Sequence, residues 1–218
     1  MKSTISDLKE RENSIGWLLA HVHDLSDMRG KIDVIVVIKS CVFIALYNNI
    51  EATVYSVFER LHSDISKLTY AELVPPLQKK MIVYSFGKAA GAHMQDPQKV
   101  ELEAAKLKEG KVKFPELSEY LRRQSLFSGN IDARKINEIG ATYGMPRINF
   151  NAEDAKRVLW VKNKRNKIAH GEQSMLDGGK GIKNADLDST FKSVGAILEE
   201  FILSAEIYLK KTAFRISD

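Results

Sequence analysis

The 218-residue chain has a single cysteine, Cys41, so no disulfide can close within it, and no His-rich or acid-rich cluster accompanies that thiol to form a structural zinc site. Cys41 sits in an apolar run and reads as a buried, inert thiol in a reducing compartment. Five prolines and 13 scattered glycines leave few break points, and no hairpin or βαβ pattern lies between them. The start, MKSTISDLKERENS, lacks the apolar run of a secretory leader and suits a capped surface helix; the expectation is a cytoplasmic protein. The most hydrophobic stretch, IDVIVVIKSCVFIALY at 32–47, is interrupted by Asp33 and Lys39. It falls short of the ~18 uninterrupted apolar residues of a membrane span, so it reads as a core helix and no membrane partner is expected.

The chain does have enough apolar content, 44%, to build the core of one sizeable domain. A net charge of +5 permits polyanion binding without requiring it, so the position of the charges matters more than their sum. Apolar residues recur with a 3.6-residue period, which predicts an all-α fold, one helical bundle over 1–218. The expected helices cover about 3–25, with Trp17, Leu18, His21 and Leu25 on one side, and 32–66, where the β-branched VIVVI imitates a strand before helical spacing resumes. A third covers 69–87, broken at Val74–Pro76 because proline is poorly tolerated inside a helix. Residues 88–150 read as an inserted, peripheral elaboration containing a short helix that ends near Gly144. Two more helices are expected over 152–170, stopped by Gly171, and 186–212, joined by the Gly-rich connector LDGGKGIKNADLD.

On the helix at 152–170, Val158, Val161, Ile168 and Ala169 form an apolar stripe, and Arg165 falls inside it. A guanidinium there is costly unless it is paired or the stripe faces an anion, a groove or a second subunit. Asn166 and His170 are four apart and flank the same cleft, where the Asn amide can orient the imidazole. On the long second helix, Glu51 lies on the stripe defined by Ile44, Tyr47, Val54 and Phe58. Two opposite charges on two apolar faces predict that Glu51 and Arg165 meet, either as a buried salt bridge alone or as part of a reactive site. KNKRNK adds Lys162, Lys164 and Lys167, a basic segment suited to a phosphate backbone or, equally, a solvated face.

These residues carry a resemblance. RNKIAHGE resembles the Arg-x4-His signature of HEPN domains, with the polar Asn166 after the arginine. LYNNIEATV at 46–54 is similar to the Tyr-x3-Glu helix of the prokaryotic HEPN branch named after MAE proteins, and GNIDARKINEIGATYG resembles the insert of that branch. The resemblance implies an all-α HEPN bundle that dimerises so that two Arg/His motifs face one another across a composite active site. It also implies an endoribonuclease that needs no metal or other cofactor and works in toxin–antitoxin, restriction-linked or anti-phage systems, with an antitoxin or defence-system protein as a further partner. His170 would be the acid/base, Arg165 the phosphate stabiliser and Asn166 the orienter; Lys162, Lys164 and Lys167 would hold RNA, and Tyr47 and Glu51 would support the site. The same residues fit a second reading, a non-catalytic HEPN module that binds RNA or a partner protein through this cleft.

Other motifs lead nowhere chemical. His21 and His23 lie about 200° apart on a helix and cannot easily share a metal. GGKG at 178–181 lacks the spacing of a phosphate loop and a preceding strand, and reads as a flexible connector. His62 and His93 have no companions that would mark a serine-hydrolase triad.

Overall fold

Leu8, Ile15, Leu19 and Val22 recur at three-, four- and seven-residue spacing and form the buried edge of the first helix, α1 (Lys2–Ser26), in the computed structural model, which describes residues 1–86, 97–127 and 129–216. The face expected inward is not the inner one: of Trp17, Leu18, His21 and Leu25 only Leu25 is buried, and Trp17 is 73% exposed. Ile15 and Leu19 set the buried edge, and a residue two positions from either is rotated by about 200°, onto the opposite face.

The β-branched run is helix, inside α2 (Ile32–Ile65), and a 3–4 series running from Val42 through Leu46, Ile50 and Phe58 to Ile65 is fully buried. By length and composition α2 could cross a membrane, but this series is buried inside the protein; the first turns are open, with Ile32 at 72%. Cys41 is half-buried rather than buried, because it lies off that series.

The break at the prolines is present. A 3₁₀ turn, Tyr70–Glu72, precedes α3 (Pro75–Phe86), and Pro75 stands at the first helical position, where its missing N–H costs nothing. There follow α4 (Pro97–Lys108), α5 (Leu117–Tyr120), α6 (Ala133–Thr142), α7 (Ala152–Ala169), α8 (Met175–Gly179) and α9 (Asn184–Lys210). The described residues form nine helices and no strand, an all-α fold. The segment taken as peripheral supplies Ile131, Ile136 and Tyr143 at 0% exposure, because Ile136, Ile139 and Tyr143 share one face of α6 and its C-terminal turn. And the supposed flexible connector is packed: a Cβ on Gly179 would lie 1.9 Å from the Val36 carbonyl oxygen, and one on Gly178 would lie 2.6 Å from Ser40 Oγ. These glycines let backbone approach α2 closely.

The chain divides into two compact units, Met1–Tyr55 with Gly129–Ile136 and Asn149–Ile202, and Ser56–Ser128 with Asn137–Ile148 and Leu203–Asp218. In the first, Arg11 Nε donates to Asn49 Oδ1 at 2.8 Å and Nη2 donates to Thr53 Oγ1 at 3.1 Å, satisfying two buried polar side chains of α2. The Phe43 ring meets the Trp160 ring edge-on with centroids 4.7 Å apart.

In the second unit the fully buried His62 is a hub. Its Nδ1–H donates to the Pro115 carbonyl at 2.8 Å, which leaves Nε2 to accept from the Tyr143 hydroxyl at 2.8 Å. Burial pushes its pKa down to about 4, so the ring is neutral, a core histidine. His93 lies outside the described residues.

Candidate functional site

All residues singled out from the sequence for RNA chemistry belong to the first unit. Helix α7 is started by Asn151, whose side chain accepts from the Glu153 and Asp154 N–H groups, and Gly171, at φ +73°, ends it in the left-handed conformation that favours glycine. Val158 and Val161 are its buried anchors, and Arg165 follows one turn later on the same stripe.

Arg165 and Glu51 do meet: Nη2 lies 3.3 Å from Glu51 Oε2, with the two side chains 23% and 25% exposed. Arg165 Nη1 donates to Asn166 Oδ1 at 3.1 Å and, at 3.5 Å, to the Gly129 carbonyl. The guanidinium carbon sits 4.1 Å from the centre of the Tyr47 ring. Tyr47 in turn donates its hydroxyl to the Gly129 carbonyl at 2.5 Å and accepts from the Ile131 N–H at 3.0 Å. Burial lifts this phenol to about 12, so it stays neutral. Both terminal nitrogens of the guanidinium are therefore engaged among the described residues.

Asn166 is not aimed at His170. Its amide Nδ2 donates to Asn130 Oδ1 at 2.6 Å while its Oδ1 receives Arg165, so both ends are spent within the site. His170 caps the helix with φ −89° and ψ 3°, and its ring is exposed with no side-chain hydrogen bond or ion pair among the described residues.

The basic segment is split by the helix. Lys162 Nζ lies 2.7 Å from Asp132 Oδ2, with side chains only 15% and 8% exposed, so this ammonium is held inside rather than offered to a phosphate. Burial pushes the Asp132 carboxyl up, but the hydrogen bonds from Lys162 and from the Lys135 N–H outweigh it and hold it below the usual range. Lys164 Nζ donates to the Gly178 carbonyl at 2.9 Å, and its pKa is lowered by burial and then by Lys167. Lys167 alone of the three lysines is exposed. Among the described residues no group of three or more His, Cys, Asp or Glu could hold a metal ion.

The family model for MAE_28990-like HEPN domains matches residues 1–214. The chain belongs to this HEPN family. No curated protein and no solved structure matches it.

Within this HEPN domain, reasoning from sequence missed three participants: Gly129, whose carbonyl receives both Tyr47 and Arg165; Asn130, which receives Asn166; and Asp132, which receives Lys162. They lie in the GNID run that carried part of the resemblance. Asp132 had a local signal as well: an Asp directly before a helix whose Oδ1 accepts from the Lys135 N–H at 2.9 Å is an N-cap. Nothing local marks Gly129 or Asn130, whose roles exist only once α2 and α7 are folded.

Proposed function

We propose that this HEPN domain is a metal-independent endoribonuclease in which His170 takes the proton from a ribose 2′-OH. The freed oxygen attacks the adjacent phosphorus, the P–O5′ bond breaks, and the departing 5′-oxygen takes up a proton. The products are a 2′,3′-cyclic phosphate and a 5′-hydroxyl end. Arg165 stabilises the charge that builds on the phosphoryl oxygens. Asn166 orients Arg165 rather than the imidazole, and Asn130 fixes Asn166. The observation that carries this reading is the contrast along one helix end: an arginine restrained by Glu51, Gly129, Asn166 and the Tyr47 face, followed by an exposed histidine whose ring has no partner among the described residues. An in-line transfer at phosphorus requires a pre-positioned cation and an available base.

In this proposal two copies of the chain bring their Arg165/His170 helix ends together, RNA lies across the composite site, and an antitoxin or another defence-system protein controls it in the cytoplasm. The second reading, a non-catalytic module that binds RNA or a partner protein, is favoured by one observation: Glu51 offsets the Arg165 charge, and Lys162 and Lys164 point to internal acceptors, so the phosphate-binding surface is thinner than the KNKRNK run suggests.

The deciding experiment incubates wild type and His170→Ala with a mixed tRNA and mRNA pool in EDTA and maps the fragment ends. Cyclic-phosphate ends made by wild type alone support the ribonuclease. Intact RNA with folded, RNA-bound wild type selects the binding module, and equal cleavage by both proteins removes His170 from the mechanism.

A further inference from the structure

The second unit holds a cleft of about 650 Å³, lined among others by Pro75, Pro76, Lys80, Val83, Tyr120 and Ala141. It falls within the size range of small-molecule sites. Pro76, Lys80 and Val83 stand at i, i+4 and i+7 and so share one face of α3, with α5 and the end of α6 supplying the other walls. Val83 is 42% exposed, an apolar side chain left open at the cleft.

Two lysines line the cleft, and of these Lys79 is exposed while Lys80 is half-buried among the apolar walls. Its Nζ lies 4.1 Å from the centre of the Tyr143 ring and 5.1 Å from that of Tyr120, and it donates to the Tyr120 hydroxyl at 3.2 Å. No carboxylate pairs with it among the described residues, in contrast to Lys162 on Asp132. Burial pushes it down to about 8, so at neutral pH it is still mostly protonated but sparsely hydrated. Aromatic faces and one phenol only partly replace lost water around an ammonium, whereas an anion would do so fully.

We propose that this cleft binds a small organic monoanion with a flat apolar body, its carboxylate or sulfonate on Lys80 Nζ and its body against Pro75, Pro76 and Val83. The site is separate from the Arg165/His170 chemistry and does not depend on it. The apolar walls exclude a bare inorganic anion as the preferred occupant.

The probe is 8-anilinonaphthalene-1-sulfonate, an aromatic body whose sulfonate stays charged across the pH range used. Folded wild type should show one saturable site by fluorescence. Lys80→Met should weaken it at least tenfold, and 2-naphthoate should displace it at least tenfold better than the uncharged 2-naphthylmethanol. Val83→Glu, at a position 42% exposed, should also weaken binding at least tenfold and serves if Lys80→Met does not fold. Wild-type affinity should fall from pH 7 to pH 9 as Lys80 loses its proton. The titratable and charged groups on the surrounding elements are Lys79, which shares the cleft wall, the Tyr120 and Tyr143 phenols, both raised by burial, His62, neutral throughout this window, Glu116, which acts on His62, and Arg123, which lies over the Tyr84 ring. Absence of a saturable site, equal binding by wild type and both variants, or equal displacement by the acid and the alcohol would each overturn the proposal.

Discussion

Replacing Lys162 separates a structural ion pair from a phosphate contact. Its ammonium and the Asp132 carboxylate are 2.7 Å apart and 15% and 8% exposed, so Lys162→Met leaves a largely buried carboxylate without its counter-ion. Breaking such a pair from one side costs about 3–5 kcal/mol when burial is complete, and the residual exposure of Lys162 brings the expected loss to about 2–4 kcal/mol. Asp132→Asn removes the charge but keeps an oxygen for the Lys135 N–H, so the cap on α6 survives and the loss comes from the pair alone. The double variant should cost less than the sum of the single ones by about 1.5 kcal/mol or more, the signature of direct coupling. Denaturant unfolding followed by tryptophan fluorescence reads this well, because both tryptophans, Trp17 and Trp160, lie in the unit that contains the pair.

The same variants should leave the salt dependence of RNA binding unchanged, whereas Lys167→Met, at an exposed lysine, should lower the slope of log K against log salt by about 0.7, one single-strand phosphate contact. A Lys162→Met protein that is as stable as wild type but has lost that slope would refute the assignment. The pH dependence supplies a second check. The Asp132 pKa is lowered in the fold, so its contribution is complete above the unfolded carboxylate value and is lost as pH falls through the folded one. In Lys162→Met, where burial is no longer outweighed, the sign should reverse: the carboxyl binds its proton more readily folded than unfolded, so stability should rise as pH falls through the carboxylate range.

Three further outcomes are expected. Tyr47→Phe removes the hydroxyl that joins the Gly129 carbonyl to the Ile131 N–H; it should cost about 1–3 kcal/mol by thermal melting and lower kcat more than RNA affinity if the loop positions Arg165. Gly179→Ala forces a methyl against the Val36 carbonyl oxygen and should destabilise by about 2 kcal/mol or more, while Gly181→Ala, where no atom lies within 4 Å but φ is +74°, should cost only about 1 kcal/mol. His62 binds its proton less readily folded than unfolded, so stability should be complete above about pH 6.5 and fall as pH drops from there toward 4, by about 3 kcal/mol in total; His62→Gln should flatten that acid limb.

Helix positions were legible because apolar spacing is a local property. The second helix was expected over 32–66 and runs Ile32–Ile65; the break before Pro75 followed from the proline ring alone. The Glu51–Arg165 meeting was legible for a related reason, since a charge on each of two apolar stripes has few places to go. What failed were the inferences about which way a helix faces and which acceptor each lysine would find. Trp17 looked like core by residue type, yet Ile15 and Leu19 determine which way α1 faces. Lys162, Lys164 and Lys167 looked alike as a basic run, but at about 100° per residue on α7 they are directed to different surroundings, two to internal acceptors and one to solvent.

The Gly178–Gly179 pair was misread for the opposite reason: glycine permits flexibility and close approach equally, and only the Val36 carbonyl decides between them. Gly129 repeats that lesson at the candidate site. At φ +71° it turns its carbonyl toward both the Tyr47 hydroxyl and Arg165, and an added Cβ would lie 3.8 Å from Glu51 Oε1, so space alone does not require glycine there. The requirement is conformational. Gly129→Ala should therefore act through strain in the loop, moving the shared acceptor away from Arg165, and its effect on catalysis should exceed its effect on stability. Cleavage that is unchanged in a folded Gly129→Ala protein would show that Glu51 and Asn166 alone are enough to place the guanidinium.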